Sequence, residues 1–318
     1  MMKKIMNILI VPDVHGRESW KDAVKKGSFD KVVFLGDYLD TYFFDTVYFK
    51  ITDDSAVENL KEIIAYKKEN PDSVVLLIGN HDCTYIYGKS VCDSRCIESR
   101  YDEIRALFQE NRHLFQMAWE VTLRKKRYVF SHAGISAKWM NRYVKGWTID
   151  NMVELLNEKH RKAVSKANPE DTPFARALSV TGKYRGFSTW NYGSPVWMDA
   201  ELLHETEPIG NLIQVVGHTQ RTSWSPVITP EVLYMDCGGQ SFLLNSYGTI
   251  RTLRGAVCKN EYPDPFDPYK YEESQRGIEL DCFSRPYCRK CGSRTIYVRA
   301  GTFVDTYTCA KCGTTEHM

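Results

Sequence analysis

The sequence predicts an α/β fold, and three observations carry the prediction. Short, continuously apolar runs recur at Ile8–Val11, Lys31–Leu35, Val74–Ile78, Arg127–Ser131 and Leu212–Val216. Runs of this length, apolar at consecutive positions, suit strands covered on both faces. Helical periodicity lies between them, and alternation of strand with helix argues for an α/β sheet. Each run also stops at a short polar motif, the place where open α/β sheets gather their ligands.

The motifs follow in order. Ile8–Val11 leads to Asp13-Val14-His15-Gly16, and Lys31–Leu35 leads to Gly36-Asp37-Tyr38-Leu39-Asp40. The next helix carries Val57, Leu60, Ile63 and Ile64 on one face, with Ser55 and Glu58 as a capping box and Asn70-Pro71 as its stop. Val74–Ile78 ends at Gly79-Asn80-His81-Asp82, Arg127–Ser131 at His132-Ala133-Gly134, and Leu212–Val216 at Gly217-His218-Thr219. One Asp or His at a strand end is an ordinary turn residue. This many at five strand ends point to a shared metal-bearing site.

A catalytic domain is expected over residues 1–258, with the polar, aromatic-rich stretch 139–210 as a cap insert over the site. Within it a helix is expected at Thr148–Lys166 and a loop at Arg185–Trp190, while Cys83–Arg100 reads as another insert bordering the site. Residues 259–282, with Pro263, Pro265 and Pro268, read as a linker, and 283–318 as a separate unit.

With 318 residues, 43% hydrophobic and 26% charged, the chain is expected to be soluble and globular, and a net charge of +2 gives no general argument for nucleic acid or membrane. Lys3 and Lys4 before Ile5–Val11 mimic a signal peptide, but Asn7 interrupts the run and no small-residue cleavage site follows. No apolar run approaches the ~20 residues of a spanning helix. A cytoplasmic location without a membrane partner is the expectation.

Taken together, Asp13-x-His15, Gly36-Asp37-x-x-Asp40, Gly79-Asn80-His81-Asp82, Ser131-His132-Ala133-Gly134 and Gly217-His218-Thr219 resemble the ordered signature of the calcineurin-like metallophosphoesterase superfamily, over about residues 5–255. The second and fourth motifs lean toward its phosphoprotein-phosphatase branch. The resemblance implies two mixed β-sheets packed face to face and flanked by helices. It implies that Asp13, His15 and Asp37 hold one metal, and Asp37, Asn80, His132 and His218 a second, with Asp37 bridging. Mixed nitrogen and oxygen ligation suits Mn, Fe or Zn. Two such ions ~3.5–4 Å apart activate a water and clamp phosphoryl oxygens. His81 is implied as general acid for the leaving group, oriented by Asp40, and Asp82 stands where many protein phosphatases have Glu.

The chain departs from that branch where phosphate-binding arginines are expected. Thr41 follows Asp40 in place of Arg, and Met198-Asp199 follow Trp197 with no Arg two places on. Arg17, Arg185 and Arg221 are the replacement candidates for phosphate contact. The resemblance implies a phosphorylated protein or another phosphomonoester as substrate, while the missing arginines keep a second reading open. The alternative is a nucleotide, dinucleoside polyphosphate or nucleic acid, with Tyr42, Phe43, Phe44, Trp190 and Tyr192 available for stacking. A non-enzymatic metal-containing binding module is a third reading, against which the complete ligand set and the Asp40–His81 pair both speak.

Two C-x-x-C-G knuckles, Cys288/Cys291 and Cys309/Cys312, have the spacing of one structural zinc site. A hairpin between them, Arg294–Val298 with Val304–Tyr307, completes an expected zinc ribbon. Its Arg289, Lys290, Arg294, Arg299 and Lys311, interleaved with Tyr297, Phe303 and Tyr307, would suit contact with nucleic acid or protein. Cys83, Cys92 and Cys96 are expected to be free thiols.

Overall fold

The computed structural model describes residues 6–42, 45–46, 49–89, 91, 94–184, 189–205, 209–220, 226–253, 295–300, 304–309 and 315–317. Asn7–Val11 (β1) pairs in parallel with Lys31–Phe34 (β2), and β2 in parallel with Val74–Leu77 (β3). Phe115–Gln116 (β4) extends this sheet at one edge, and Phe242–Asn245 (β10) joins β1 antiparallel at the other, followed by Ile250–Thr252 (β11). A second sheet is built from Ala118–Leu123 (β5), Lys126–Ser131 (β6), Leu212–Val216 (β7), Val227–Ile228 (β8) and Val232–Tyr234 (β9), in the order β5-β6-β7-β9-β8. Both sheets mix parallel and antiparallel pairs, as the resemblance implied.

Side-chain alternation then divides the interior. Ile8, Ile10, Val33, Val75 and Leu77 of the first sheet form one buried cluster with Phe130, Val215 and Leu233 of the second, so the sheets face one another. The alternate residues Leu9, Val11, Val32, Phe34, Val74 and Leu76 pack outward against helices. The continuous apolar runs Ile8–Val11, Val32–Phe34 and Val74–Leu77 thus arise because these strands are covered on both faces. One strand missing from the sequence reading breaks this pattern. Ala118–Leu123 is mostly half-exposed along its length and contains Glu120 and Thr122.

Asp53–Glu69 is the expected helix after β2, with Val57, Leu60, Ile63 and Ile64 buried and Asn70 at its C-terminus. Its cap lies one turn earlier than expected. Thr52, in extended conformation, accepts from the Ser55 N–H at 3.1 Å, and the Ser55 hydroxyl accepts from the Thr52 N–H at 2.9 Å. Ser55 is the third residue of the box and not its first, and Glu58 pairs with Lys61 on the surface. The helix expected from Thr148 begins at Met152 and runs to Val164, because Thr148 and Asn151 bond each other's backbone N–H groups in a turn before it. Its buried Asn157 accepts from Met117 and Ala118 N–H and donates to the Ala118 carbonyl, pinning this helix to the start of β5.

Near the C-terminus, Thr295–Ala300 pairs antiparallel with Val304–Cys309, and that strand with Thr315–His317. The first pair is the expected hairpin. Cys309 ends its second strand, whereas Cys288, Cys291, Cys312 and the linker 259–282 lie outside the described residues. No described helix is long and apolar enough to cross a membrane.

Replacing Thr52 by Ala is expected to lower unfolding free energy by about 1 kcal/mol, the usual worth of such a cap. Glu58→Ala should change it by less than about 0.5 kcal/mol, as for a surface pair. Urea unfolding of both variants checks this, and the reverse order would restore the cap read from Ser55 and Glu58.

Candidate metal centre

The carboxyl ends of β1, β2, β3, β6 and β7 carry His15, Asp37, Asn80, His132 and His218 with their neighbours, and the two facing sheets bring them together. The turns that do so are strained. His15 (φ 44°), Asp37 (51°), Asp40 (64°) and His218 (64°) all adopt left-handed backbone. Each such residue costs of order 1–3 kcal/mol and persists only where its surroundings hold it. Here the His15 N–H donates to the Asp37 carbonyl at 2.7 Å, and the His218 N–H to the Asp13 carboxylate at 3.0 and 3.1 Å. A Cβ on Gly79 would stand 2.1 Å from Asp37 Oδ1, so only glycine lets the third turn approach the second.

Asp82 is the brace of this arrangement. Its carboxylate accepts from the Asp37 and Gly79 N–H groups at 2.8 Å each and from Tyr38 at 3.0 Å. Burial nevertheless pushes its pKa up to about 6, against the pull of the hydrogen bonds from Gly79, Tyr38 and Asp37. A proton on Asp82 would sit where a donor is already aimed, so the charged form is the one these loops are folded around.

Oxygen and nitrogen donors then converge on Asp37. Its Oδ1 accepts from the His81 N–H at 2.9 Å, and its Oδ2 lies 3.4 Å from His132 Nε2 and 3.7 Å from His15 Nε2. Ligand atoms of Asp13, His15 and Asp37 lie within 4.8 Å of one another, and so do those of Asp37, His132 and His218. Asn80 Oδ1 joins the second group, 3.0 Å from His132 Nε2.

The tautomers test whether cations fit. His15 Nδ1 donates to the Leu39 carbonyl and His132 Nδ1 to the Leu35 carbonyl, each at 2.9 Å. A carbonyl only accepts, so Nδ1 of each ring carries a proton and Nε2 is the atom turned toward the Asp37 carboxylate. A neutral ring there, which burial favours for His15, presents a lone pair to a carboxylate, an arrangement that a cation between them satisfies. The ionisation trends agree. Burial, with His81 and Arg17 nearby, holds His15 well below the usual range. Burial raises Asp37 well above its usual range, with Asp13 and Asp82 adding to the rise against the pull of His81. A divalent cation satisfies a neutral imidazole and an ionised carboxylate together, so the donor set fits two metals that share Asp37.

His81 is different. Its Nδ1 lies 2.9 Å from Asp40 Oδ2, and Asp40 Oδ1 accepts from the Tyr85 hydroxyl at 2.5 Å. The Tyr85 oxygen in turn accepts the Ile97 N–H at 2.8 Å. Burial opposes charge on His81, but Asp37 and the bond to Asp40 outweigh it and raise its pKa. The sequence places Tyr85 in the insert Cys83–Arg100 without singling it out, whereas the structure puts it on the buried helix Asn80–Tyr87.

A solvent-open cleft of about 500 Å³ is lined by Asp37, Asn80 and His81, by Tyr42, Ser94 and Arg95, and by Trp197 and His218. Arg17 is not among these residues. It is buried in a bidentate pair with Asp45 (2.8 and 2.9 Å), and its Nη1 donates to the Asp13 carbonyl at 3.3 Å. In place of the expected phosphate contact, this fork secures the first metal-site loop. Arg185 and Arg221 lie outside the described residues, as do Phe43 and Phe44. Trp190 and Tyr192 pack on each other, 5.4 Å between ring centres, away from the cleft lining. Among the described residues lining the cleft, the one arginine is Arg95, from the insert that the sequence placed beside the site without singling out a residue. Cys83 and Cys96 form no disulfide, and Cys92 is outside the described residues.

Comparison with known proteins agrees with this geometry. The profile of the calcineurin-like phosphoesterase family matches residues 6–221. The chain belongs to that family, whose members use a binuclear divalent metal centre, and it is a metal-dependent phosphoester hydrolase. No curated protein matches the sequence. Among solved structures, a cold-active protein-tyrosine phosphatase of a psychrophilic Shewanella species aligns at 18% identity and a TM-score of 0.45, covering 79% of this chain and 81% of that one. Yfce, a phosphoesterase from E. coli, aligns at 12% identity and a TM-score of 0.35 over 80% and 97% of the two chains. A metallophosphoesterase from Sphaerobacter thermophilus aligns at 13% identity and a TM-score of 0.40 over 85% and 94%.

Asp82→Asn puts an amide N–H against a backbone N–H and is expected to cost about 1–3 kcal/mol, the range for a buried group left unmatched. The check is urea unfolding of metal-stripped protein, so that lost metal does not enter. A variant as stable as the parent would remove Asp82 from its bracing role.

Proposed function

We propose that the protein is a two-metal phosphomonoesterase of the phosphoprotein-phosphatase type, acting on a phosphorylated protein side chain or a comparable alkyl phosphate. The observation that carries this reading is the His81–Asp40 pair beside the shared Asp37. A leaving alkoxide needs a proton, and a histidine whose charged form is favoured by two carboxylates is suited to give one. Asp13, His15 and Asp37 hold the first metal in this proposal, and Asp37, Asn80, His132 and His218 the second. The ions, Mn, Fe or Zn, supply Lewis acidity and an activated water when bound. The chain's own residues fix the ligand directions: Leu39 and Leu35 carbonyls set the His15 and His132 tautomers, and Ser94 Oγ takes the Asn80 amide hydrogen at 2.9 Å so that Oδ1 faces the metals.

A nucleotide reading would rest on aromatic stacking in the cleft. Tyr42 is already covered by Arg95, 4.3 Å above its ring, and sits edge-on to His15. Trp197 meets His218 edge-on at 5.6 Å. Support therefore falls to the monoester. A structural zinc bound by Cys288, Cys291, Cys309 and Cys312 is part of the proposal on spacing alone.

Asp37→Asn is expected to abolish turnover and to lower both active-site metals while one zinc stays. Metal analysis beside kinetics tests this, and two retained ions with near-normal activity would refute the shared role. His81→Asn is expected to keep the metals and to slow alkyl phosphates by ~10²–10⁴, the range for a lost general acid. An activated aryl phosphate, whose leaving group needs little protonation, should lose far less. Equal losses on the two substrates would remove His81 as the acid.

A further inference from the structure

The insert at Ser94–Ile97 is tied to the catalytic centre at both of its ends. Ser94 Oγ accepts the Asn80 amide hydrogen at 2.9 Å, and the Ile97 N–H donates at 2.8 Å to Tyr85, which holds Asp40. Arg95 stands between these two anchors. Its Nη2 donates to the Asp40 carbonyl at 3.3 Å and its Nη1 to the Thr41 carbonyl at 3.4 Å. Its guanidinium lies 4.3 Å from the Tyr42 ring centre, within cation–π range. Its side chain is exposed to solvent, yet the head is fixed at the rim of the cleft. Arg95 is the one permanently cationic residue among the described residues lining that cleft.

We infer that Arg95 is the specificity-determining cation of this site, selecting doubly charged phosphomonoesters over phosphodiesters. The inference deepens the phosphoesterase reading and rests on it. A monoester carries two negative charges and three terminal oxygens, whereas a diester carries one charge and two. A planar guanidinium fork gains most from the partner with more charge and more acceptor oxygens. Two of its five N–H groups go to carbonyls among the described residues, so the rest of the fork is available to the ligand. Holding the head in place before substrate arrives removes the ordering cost that a loose surface arginine incurs on binding. The position also explains Thr41. An arginine there would put a second cation beside the spot that Arg95 reaches from the insert.

The test uses the full chain, reconstituted with manganese, as wild type, Arg95→Ala and Arg95→Lys. Inorganic phosphate is titrated by calorimetry, and kcat/KM is measured on an aryl phosphate monoester and on the bis-aryl diester. Metal content and melting temperature are recorded for each protein. Arg95→Ala is expected to weaken phosphate binding and to lower monoester kcat/KM by ~30–100-fold, as for a lost charged hydrogen-bond partner, with a loss at least tenfold smaller on the diester. Lysine should restore part of the charge effect without the fork, recovering only a fraction of the loss. With metals intact, unchanged phosphate affinity or equal losses on the two esters would overturn the inference. If Arg95→Ala itself loses metal, the same two comparisons on Arg95→Lys decide. Wild type inactive on both esters would refute the phosphoesterase reading, while the phosphate titration would still decide the role of Arg95.

Discussion

The arrangement depends on one buried carboxylate. Asp82 lies on the first turn of the helix that follows β3, and it accepts N–H groups from two different loops. A buried charge is costly unless hydrogen bonds replace its water, and three aligned backbone donors do so here. In return it locks the Asp37 turn, whose left-handed backbone would otherwise relax, against the Gly79 turn that presents Asn80 and His81. Everything at the metal site is measured from Asp37, so the position of Asp82 sets the scale of the whole centre.

The second constraint is that the site belongs to both sheets. His132, at the end of a second-sheet strand, donates to the carbonyl of Leu35 at the end of a first-sheet strand. The His218 backbone donates to Asp13 across the same gap. The distance between the two halves of the centre is therefore set by the apolar cluster between the sheets, in which Ile10, Leu35, Phe130 and Val215 are buried. Packing at native density resists small displacements, which is what a ligand set with tolerances of tenths of an ångström requires. Core and catalysis are one structural problem here.

A third element is added from outside the sheets. The insert after the third strand motif reaches back to Asn80, to Tyr85 and to Asp40, and so touches a candidate ligand, the support of the His81–Asp40 pair and the cleft rim in four residues. Its sequence contains nothing periodic, and its polar residues read alone as surface. Arg17 shows the converse. Its place directly after Asp13-Val14-His15-Gly16 made it look like a phosphate ligand, yet Asp45 lies close enough to take its fork. Adjacency along the chain located Arg17 near the metals but left its direction open.

The residues of the candidate centre were legible because strand ends impose them. Five apolar runs that stop at Asp, Asn or His specify parallel strands and the chemistry at their carboxyl ends, since period and side-chain type are local properties. The mixed character of the two sheets came from resemblance, and the edge strands β5 and β11 went unread because half-exposed strands carry no continuous apolar signal. Only the tertiary structure decided which ring nitrogen of His15 and of His132 meets a carbonyl, that Asp82 braces Asp37, that Tyr85 supports Asp40, and that Arg95 rather than Arg17 faces the cleft. These are outcomes of contacts between residues 14 to 205 positions apart, such as His218 with Asp13 and Ser94 with Asn80. No property of a residue and its sequence neighbours encodes such a contact.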